Sequence, residues 1–130
     1  MRWQRRSTRF PWFVPATFLV ALVLEVQACA SSAPMLRVDN IDQIAGQWSG
    51  MVTVGPSMNL VTVTIKPDGS LTAIWSSITA QGTVTVSNGQ ASYQMGPPLQ
   101  EGTFKLYAGT GSTLYMESLD GVFYANLKRQ

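Results

Sequence analysis

From Gly46 onward the chain is cut by turn residues about every eight to twelve positions. The cuts are Pro67-Asp68-Gly69, Asn88-Gly89, Gly109-Thr110-Gly111-Ser112 and Asp120-Gly121, with a wider one at Gly96-Pro97-Pro98. Proline presets the first angle of a turn, and glycine accepts a positive φ. Asn-Gly tolerates the two left-handed residues of a type I′ hairpin. Neither Pro97 nor Pro98 can donate to a ladder, so that stretch must loop out. Threonine, valine and aromatics fill the pieces between cuts, and no convincing helix occurs there. Such spacing defines an all-β barrel or sandwich.

The expected strands are Gln47–Val54, Asn59–Lys66, Ser70–Ser76, Gln81–Ser87, Gln90–Met95, Gly102–Ala108, Thr113–Ser118 and Val122–Lys128. Short connections make consecutive strands antiparallel neighbours. Alternation then assigns their faces. Val61, Val63 and Ile65 alternate with Thr62, Thr64 and Lys66; Phe123, Ala125 and Leu127 alternate with Tyr124, Asn126 and Lys128. Each strand has one apolar face. Closing the sheet into an eight-stranded antiparallel up-and-down β-barrel hides those faces together and removes exposed edges. A membrane barrel would invert the pattern and need longer strands.

The first residues have a different character. Arg2, Arg5, Arg6 and Arg9 precede an apolar run from Phe13 to Leu24, followed by Val26-Gln27-Ala28-Cys29. The run is about a dozen residues, whereas a membrane-spanning helix needs roughly 20. The pattern is that of a secretory signal peptide over residues 1–28. Val26-Gln27-Ala28-Cys29 resembles the lipobox of bacterial lipoproteins. That resemblance implies cleavage before Cys29, a diacylglycerol on its sulfur and an acyl chain on its new amino terminus. The lipid bilayer is then the first partner. Ala30, rather than aspartate, after the cysteine implies an outer membrane, with the domain facing the periplasm. Ala28-Cys29-Ala30 is also a small-x-small site, whose cleavage would release a soluble secreted protein. Residues 29–37 read as the lipidated cysteine and a tether, with Ser31-Ser32-Ala33-Pro34 kept extended by its composition. Residues 38–130 read as the folded domain.

Val38-Asp39-Asn40-Ile41-Asp42-Gln43-Ile44-Ala45-Gly46-Gln47-Trp48 resembles the opening of a lipocalin-like barrel, in which a capped helical turn leads into Gly-x-Trp on the first strand. The resemblance implies that Ile41 and Ile44 plug one end. It makes Gly46 the tight turn into the strand and Trp48 the floor of the core. It also implies a basic side chain across the tryptophan face, with Arg129 the first match and Lys128 the second. The chain is shorter than a typical lipocalin, has no disulfide and carries no long lid.

Charge narrows the functions available. Without the leader, Arg37, Lys66, Lys105, Lys128 and Arg129 face Asp39, Asp42, Asp68, Glu101, Glu117 and Asp120. No basic stripe remains to follow a phosphate backbone, so nucleic acid is not an expected partner. The chain has no histidine and one cysteine, which removes the commonest acid–base group and metal ligand. No catalytic constellation, cofactor motif or metal loop occurs, and a non-enzymatic role is expected. Asp39 and Asp42 read as caps of the leading turn.

Two functions remain. Eight-stranded barrels are filled by their own side chains or hold one small ligand. A hollow interior would offer a pocket lined by Trp75, Tyr93, Phe104, Met116 and Phe123 to a small hydrophobic ligand such as a fatty acid. A filled interior would instead make the domain a structural module that docks an envelope protein through outward apolar residues, Met51, Leu60, Ile74, Tyr107 and Tyr115.

Overall fold

The computed structural model describes residues 33–130. The signal segment, the lipobox and Cys29 lie outside the described residues. The described chain forms strands β1 (Met35–Leu36), β2 (Gly46–Val54), β3 (Ser57–Ile65), β4 (Ser70–Trp75), β5 (Ile78–Ser87), β6 (Gln90–Met95), β7 (Glu101–Tyr107), β8 (Thr113–Ser118) and β9 (Phe123–Arg129). A 3₁₀ turn at Ile41–Gln43 leads into β2. Strands β2 to β9 pair antiparallel in sequence order, and β9 pairs back onto β2. The fold is all-β, a closed eight-stranded antiparallel barrel.

The hairpins follow from their turn residues. Asn88 and Gly89 take φ of 53° and 76°, the two left-handed positions of a primed turn. Gly69 takes φ 88° after Pro67-Asp68, and its N–H donates to the Lys66 carbonyl at 2.9 Å. Two hairpins are tighter than the sequence pattern indicates. Val54 pairs with Ser57 and Trp75 with Ile78, so only two residues lie in each loop. Strand β3 therefore begins at Ser57 rather than Asn59, and β5 at Ile78 rather than Gln81. Gly55 supplies the first loop with φ 56°; Ser76 supplies the second with φ 50°, an angle that a serine does not advertise.

Strand β1 joins the barrel from outside the ring. Met35 pairs with Tyr107 and Leu36 with Leu106, just where the β6–β7 ladder has ended at Ala91–Phe104. The Pro34 carbonyl accepts from Ala108 N–H at 3.0 Å, and Val38 N–H donates to the Gly89 carbonyl at 3.0 Å. Residues 34–37, grouped with the tether from their composition, are thus held on the sheet. A two-residue strand is too short to show alternation.

The direction of each strand divides the barrel into two ends. The 3₁₀ turn, the Asn88-Gly89 hairpin and the last residues of β9 form one end, the floor. The β2–β3, β4–β5 and β8–β9 turns and residues 96–100 form the other, the mouth. Between them, inward residues such as Val63, Ala73, Leu114, Met116 and Leu127 are buried. Burying each large one contributes about 1.5–3 kcal/mol.

Candidate functional site

The floor is built by a short polar turn that locks onto the first and last strands of the ring. Asn40 is its N-cap: the side-chain carbonyl accepts from Asp42 N–H at 3.0 Å, while Gln43 Oε1 accepts from Asn40 N–H at 3.0 Å. This reciprocal arrangement satisfies donors that a helical end leaves unpaired. The cap is thus Asn40, not Asp39 or Asp42. Asp39 instead accepts from Arg37 Nε at 3.0 Å, and Asp42 only donates its N–H. Asparagine is as good a cap as aspartate, and the sequence offers three candidates within four residues.

Behind the turn, Ile44 and Trp48 are fully buried, and Ile41 packs partly against them. The indole Nε1 of Trp48 donates to the Ile44 carbonyl at 2.8 Å, so the buried donor is satisfied. Arg129 comes from the far end of the chain and lies over the indole, 4.4 Å from the ring centroid. Its guanidinium donates from Nη1 to the Ala45 carbonyl at 2.6 Å and from Nη2 to the Gln43 carbonyl at 2.9 Å. Gly46 makes this approach feasible. Its φ is +128°, and a Cβ there would stand 2.9 Å from Arg129 Nη1. Lys128, the second candidate for this position, is exposed on the outer face opposite Ser49.

At the mouth the barrel is not filled. A cavity of about 370 Å³ lies among Val54, Trp75, Ile78, Leu99, Phe123 and the residues of the β8–β9 turn. Pro98, Gln100, Glu101, Ser118, Leu119, Asp120 and Val122 complete its wall. Trp75 and Phe123 pack against each other in its wall, with ring centroids 6.1 Å apart and planes tilted by 59°. The 96–100 loop folds inward over one side, burying Leu99. Ligand pockets start at about 300 Å³.

Of the five residues proposed from sequence as a pocket, Trp75 and Phe123 line this cavity. Tyr93, Phe104 and Met116 are buried outside its wall, and the Tyr93 and Phe104 rings pack together at 5.1 Å. The remaining wall residues escaped the sequence reading. Ile78, Leu99, Leu119 and Val122 sit in or beside turns, where period-two alternation carries no information. An apolar residue directly after Pro97-Pro98, and an apolar pair bracketing Asp120-Gly121, are the signals that mark them.

The polar part of the wall is concentrated on β7, β8 and the turn after it. Ser118 Oγ is bonded to Asp120 Oδ1 at 2.5 Å, and Val122 N–H donates to the same oxygen at 3.1 Å. The Ser118 hydroxyl, and after it the Val122 N–H, hold the Asp120 carboxyl below the ordinary carboxylate range. Beside this cluster, the Tyr93 hydroxyl is buried with no hydrogen-bond partner. It occupies the space that a side chain at Gly102 would fill. Burial first, then the charges of Asp120 and Glu117, push the phenol well above its usual range.

Eight antiparallel strands closed on themselves, with a capped turn and a buried tryptophan at one end and an apolar recess at the other, make a barrel consistent with the lipocalin-like fold. Comparison with protein-family models, with curated proteins and with solved structures finds no match.

Proposed function

We propose that this chain is an exported bacterial lipoprotein, held on the membrane through Cys29, whose barrel takes a small hydrophobic ligand at its mouth. The cavity beside Trp75 and Phe123 carries the reading. Its volume of about 370 Å³ and its mix of apolar and polar wall residues are those of a small-ligand pocket. The leader and lipobox supply the location. The described chain joins the sheet at the floor, beside β7.

Ligand uptake is tested with the full chain and a neutral brominated alkane, a fluorescence quencher. Saturable quenching that disappears in Trp75→Phe places the ligand at the mouth, since Trp48 lies at the floor. Equal quenching of the two proteins refutes the reading. Membrane attachment is tested by mass spectrometry of the mature chain for an acylated Cys29, and by the release of Cys29→Ser from the membrane fraction.

A docking role has its own support. Met51 stands directly across from Leu60 on the outer face, and Leu60 lies diagonal to Ile74. Leu60 is 74% exposed, and Met58 adds a fourth exposed apolar side chain. Such a cluster on one wall fits an envelope protein as partner. Cross-linking in intact cells, compared between the parent and Leu60→Lys, tests it: a partner captured equally by both argues against this wall.

A further inference from the structure

The barrel has a charged half and an uncharged half. Between Asp42 and Glu101 the sequence holds only two charged residues, Lys66 and Asp68. Both sit in the β3–β4 turn at the floor, so strands β2 to β6 carry no charged side chain. Strands β7 to β9 carry Glu101, Lys105, Glu117, Lys128 and Arg129. A surface that meets only water is roughly 25–35% charged, with both signs interspersed. Depletion of Lys, Glu and Asp together with enrichment of Met marks the centre of a protein interface.

The outer face of the uncharged half carries a diagonal apolar ridge. Met51 on β2 stands opposite Leu60 on β3, and Ile74 on β4 stands opposite Thr62, the next outward position along β3. Met51, Leu60 and Ile74 are all exposed. Hydroxyls flank the ridge, and Ser49 and Thr62 already bond each other at 3.3 Å. What is left to satisfy there is apolar surface, not charge.

From this arrangement we infer that the wall pairs with the same wall of a second copy of this chain. The inference names the partner in the docking reading above and rests on it. Charge complementarity is what selects one protein partner over another, and this wall has no charge to present. In a two-fold dimer the same patch faces itself, so a charge near the axis meets its own like and is repelled. The wall centred on β3 meets its own copy without that repulsion. With the axis lying in the contact plane and crossing the ridge at Leu60, Leu60 packs on its own copy and Met51 packs on the partner's Ile74. The two methionines, Met51 and Met58, adapt their shape to such a contact. Four strands by six residues cover about 19 Å by 20 Å. That is about half of a standard face of ~800 Å² per partner, so the dimer is expected to be weak, with a Kd in the micromolar range.

Sedimentation equilibrium of the full chain in mild detergent, with thiols reduced, reads the association. The parent is expected to be a concentration-dependent mixture of monomer and dimer. Leu60→Lys should weaken the dimer by about tenfold or more, because two lysines would then face each other at the axis. Leu60→Cys, in a chain carrying Cys29→Ser, should form an intermolecular disulfide under mild oxidation, whereas Thr85→Cys on β5 should not. A parent that stays monomeric overturns the inference. So does a dimer that survives Leu60→Lys, the result expected of association through the apolar leader. If the parent is monomeric but captures a different protein in intact cells, and Leu60→Lys abolishes that capture, the inference falls while the docking reading stands. If neither contact is found, both readings of this wall fall.

Discussion

Arg129, next to last in the chain, covers the face of Trp48, the third residue of the ring's first strand. The guanidinium stands 4.4 Å from the ring centroid while its two terminal nitrogens donate to main-chain carbonyls of the leading turn. One side chain therefore ties three things together: the plug, the floor of the core, and the β2–β9 seam that closes the barrel.

Removing that side chain should loosen all three. A cation–π contact contributes about 0.5–2 kcal/mol, and a hydrogen bond from a charged donor about 1.5–3 kcal/mol. Arg129 is solvent-exposed, so the lower ends apply. Arg129→Ala is expected to lower the urea unfolding free energy by about 2 kcal/mol. Arg129→Lys should recover less than half of that, because a point charge cannot donate to two carbonyls in the fork geometry. Equal stability of the lysine variant and the parent would show that the fork contributes nothing.

Gly46→Ala should act on the same cluster by a different route. A non-glycine residue at φ +128° carries backbone strain of about 1–3 kcal/mol, and the new methyl would crowd Arg129 Nη1 at 2.9 Å. The strain is independent of Arg129, but the crowding is not. In an Arg129→Ala background the cost of Gly46→Ala should therefore shrink without vanishing. A double-mutant cycle with no coupling energy would contradict the contact.

How far the fold was legible depends on which signal each part carries. Asn88-Gly89 and Pro67-Asp68-Gly69 announce their turns because only a few residues fit the angles those turns require, and both adopt them. Strand faces were legible for the same kind of reason: a period of two has only two phases, and Val61, Val63 and Ile65 define theirs. The Ser76-Ser77 turn was not legible, since serine at φ 50° looks like any strand residue. Strand β1 is held by its partners on β7 rather than by any pattern of its own. The mouth was half legible. Trp75 and Phe123 end strands and follow the alternation, whereas Leu99, Leu119 and Val122 reach the cavity through loop geometry that no local pattern encodes. Tyr93, Phe104 and Met116 share the inward phase but sit deeper, and alternation tells inside from outside, not depth.

Asp120 should give the domain part of its acid sensitivity. The Ser118 hydroxyl and the Val122 N–H favour the ionised carboxylate in the folded state, so its proton affinity is lower there than in the unfolded chain. The stabilisation is complete above the ordinary value of 3.8 and fades as the pH falls through the lower folded-state value. In Asp120→Asn the melting temperature should be lower near neutral pH, and the gap to the parent should close as the pH falls below 3.8. Parallel melting curves across that range would rule out the linkage.

Tyr93→Phe should stabilise the domain. The hydroxyl is buried and makes no bond, so deleting it removes an uncompensated desolvation cost of about 1–3 kcal/mol. Some of that gain is lost, because the oxygen fills the space beside Gly102 and its removal leaves a small gap. The expected net change is a stabilisation of about 1 kcal/mol in urea unfolding. The variant also carries a pH signature. Burial keeps the folded-state phenol protonated well above its ordinary value of 10.0, so the parent loses stability as the pH rises past that value, where the unfolded chain ionises and the folded one does not. Tyr93→Phe should be more stable than the parent at every pH and lose less on the alkaline side. If Tyr93→Phe is instead destabilised and its alkaline limb matches the parent, the hydroxyl is satisfied in solution.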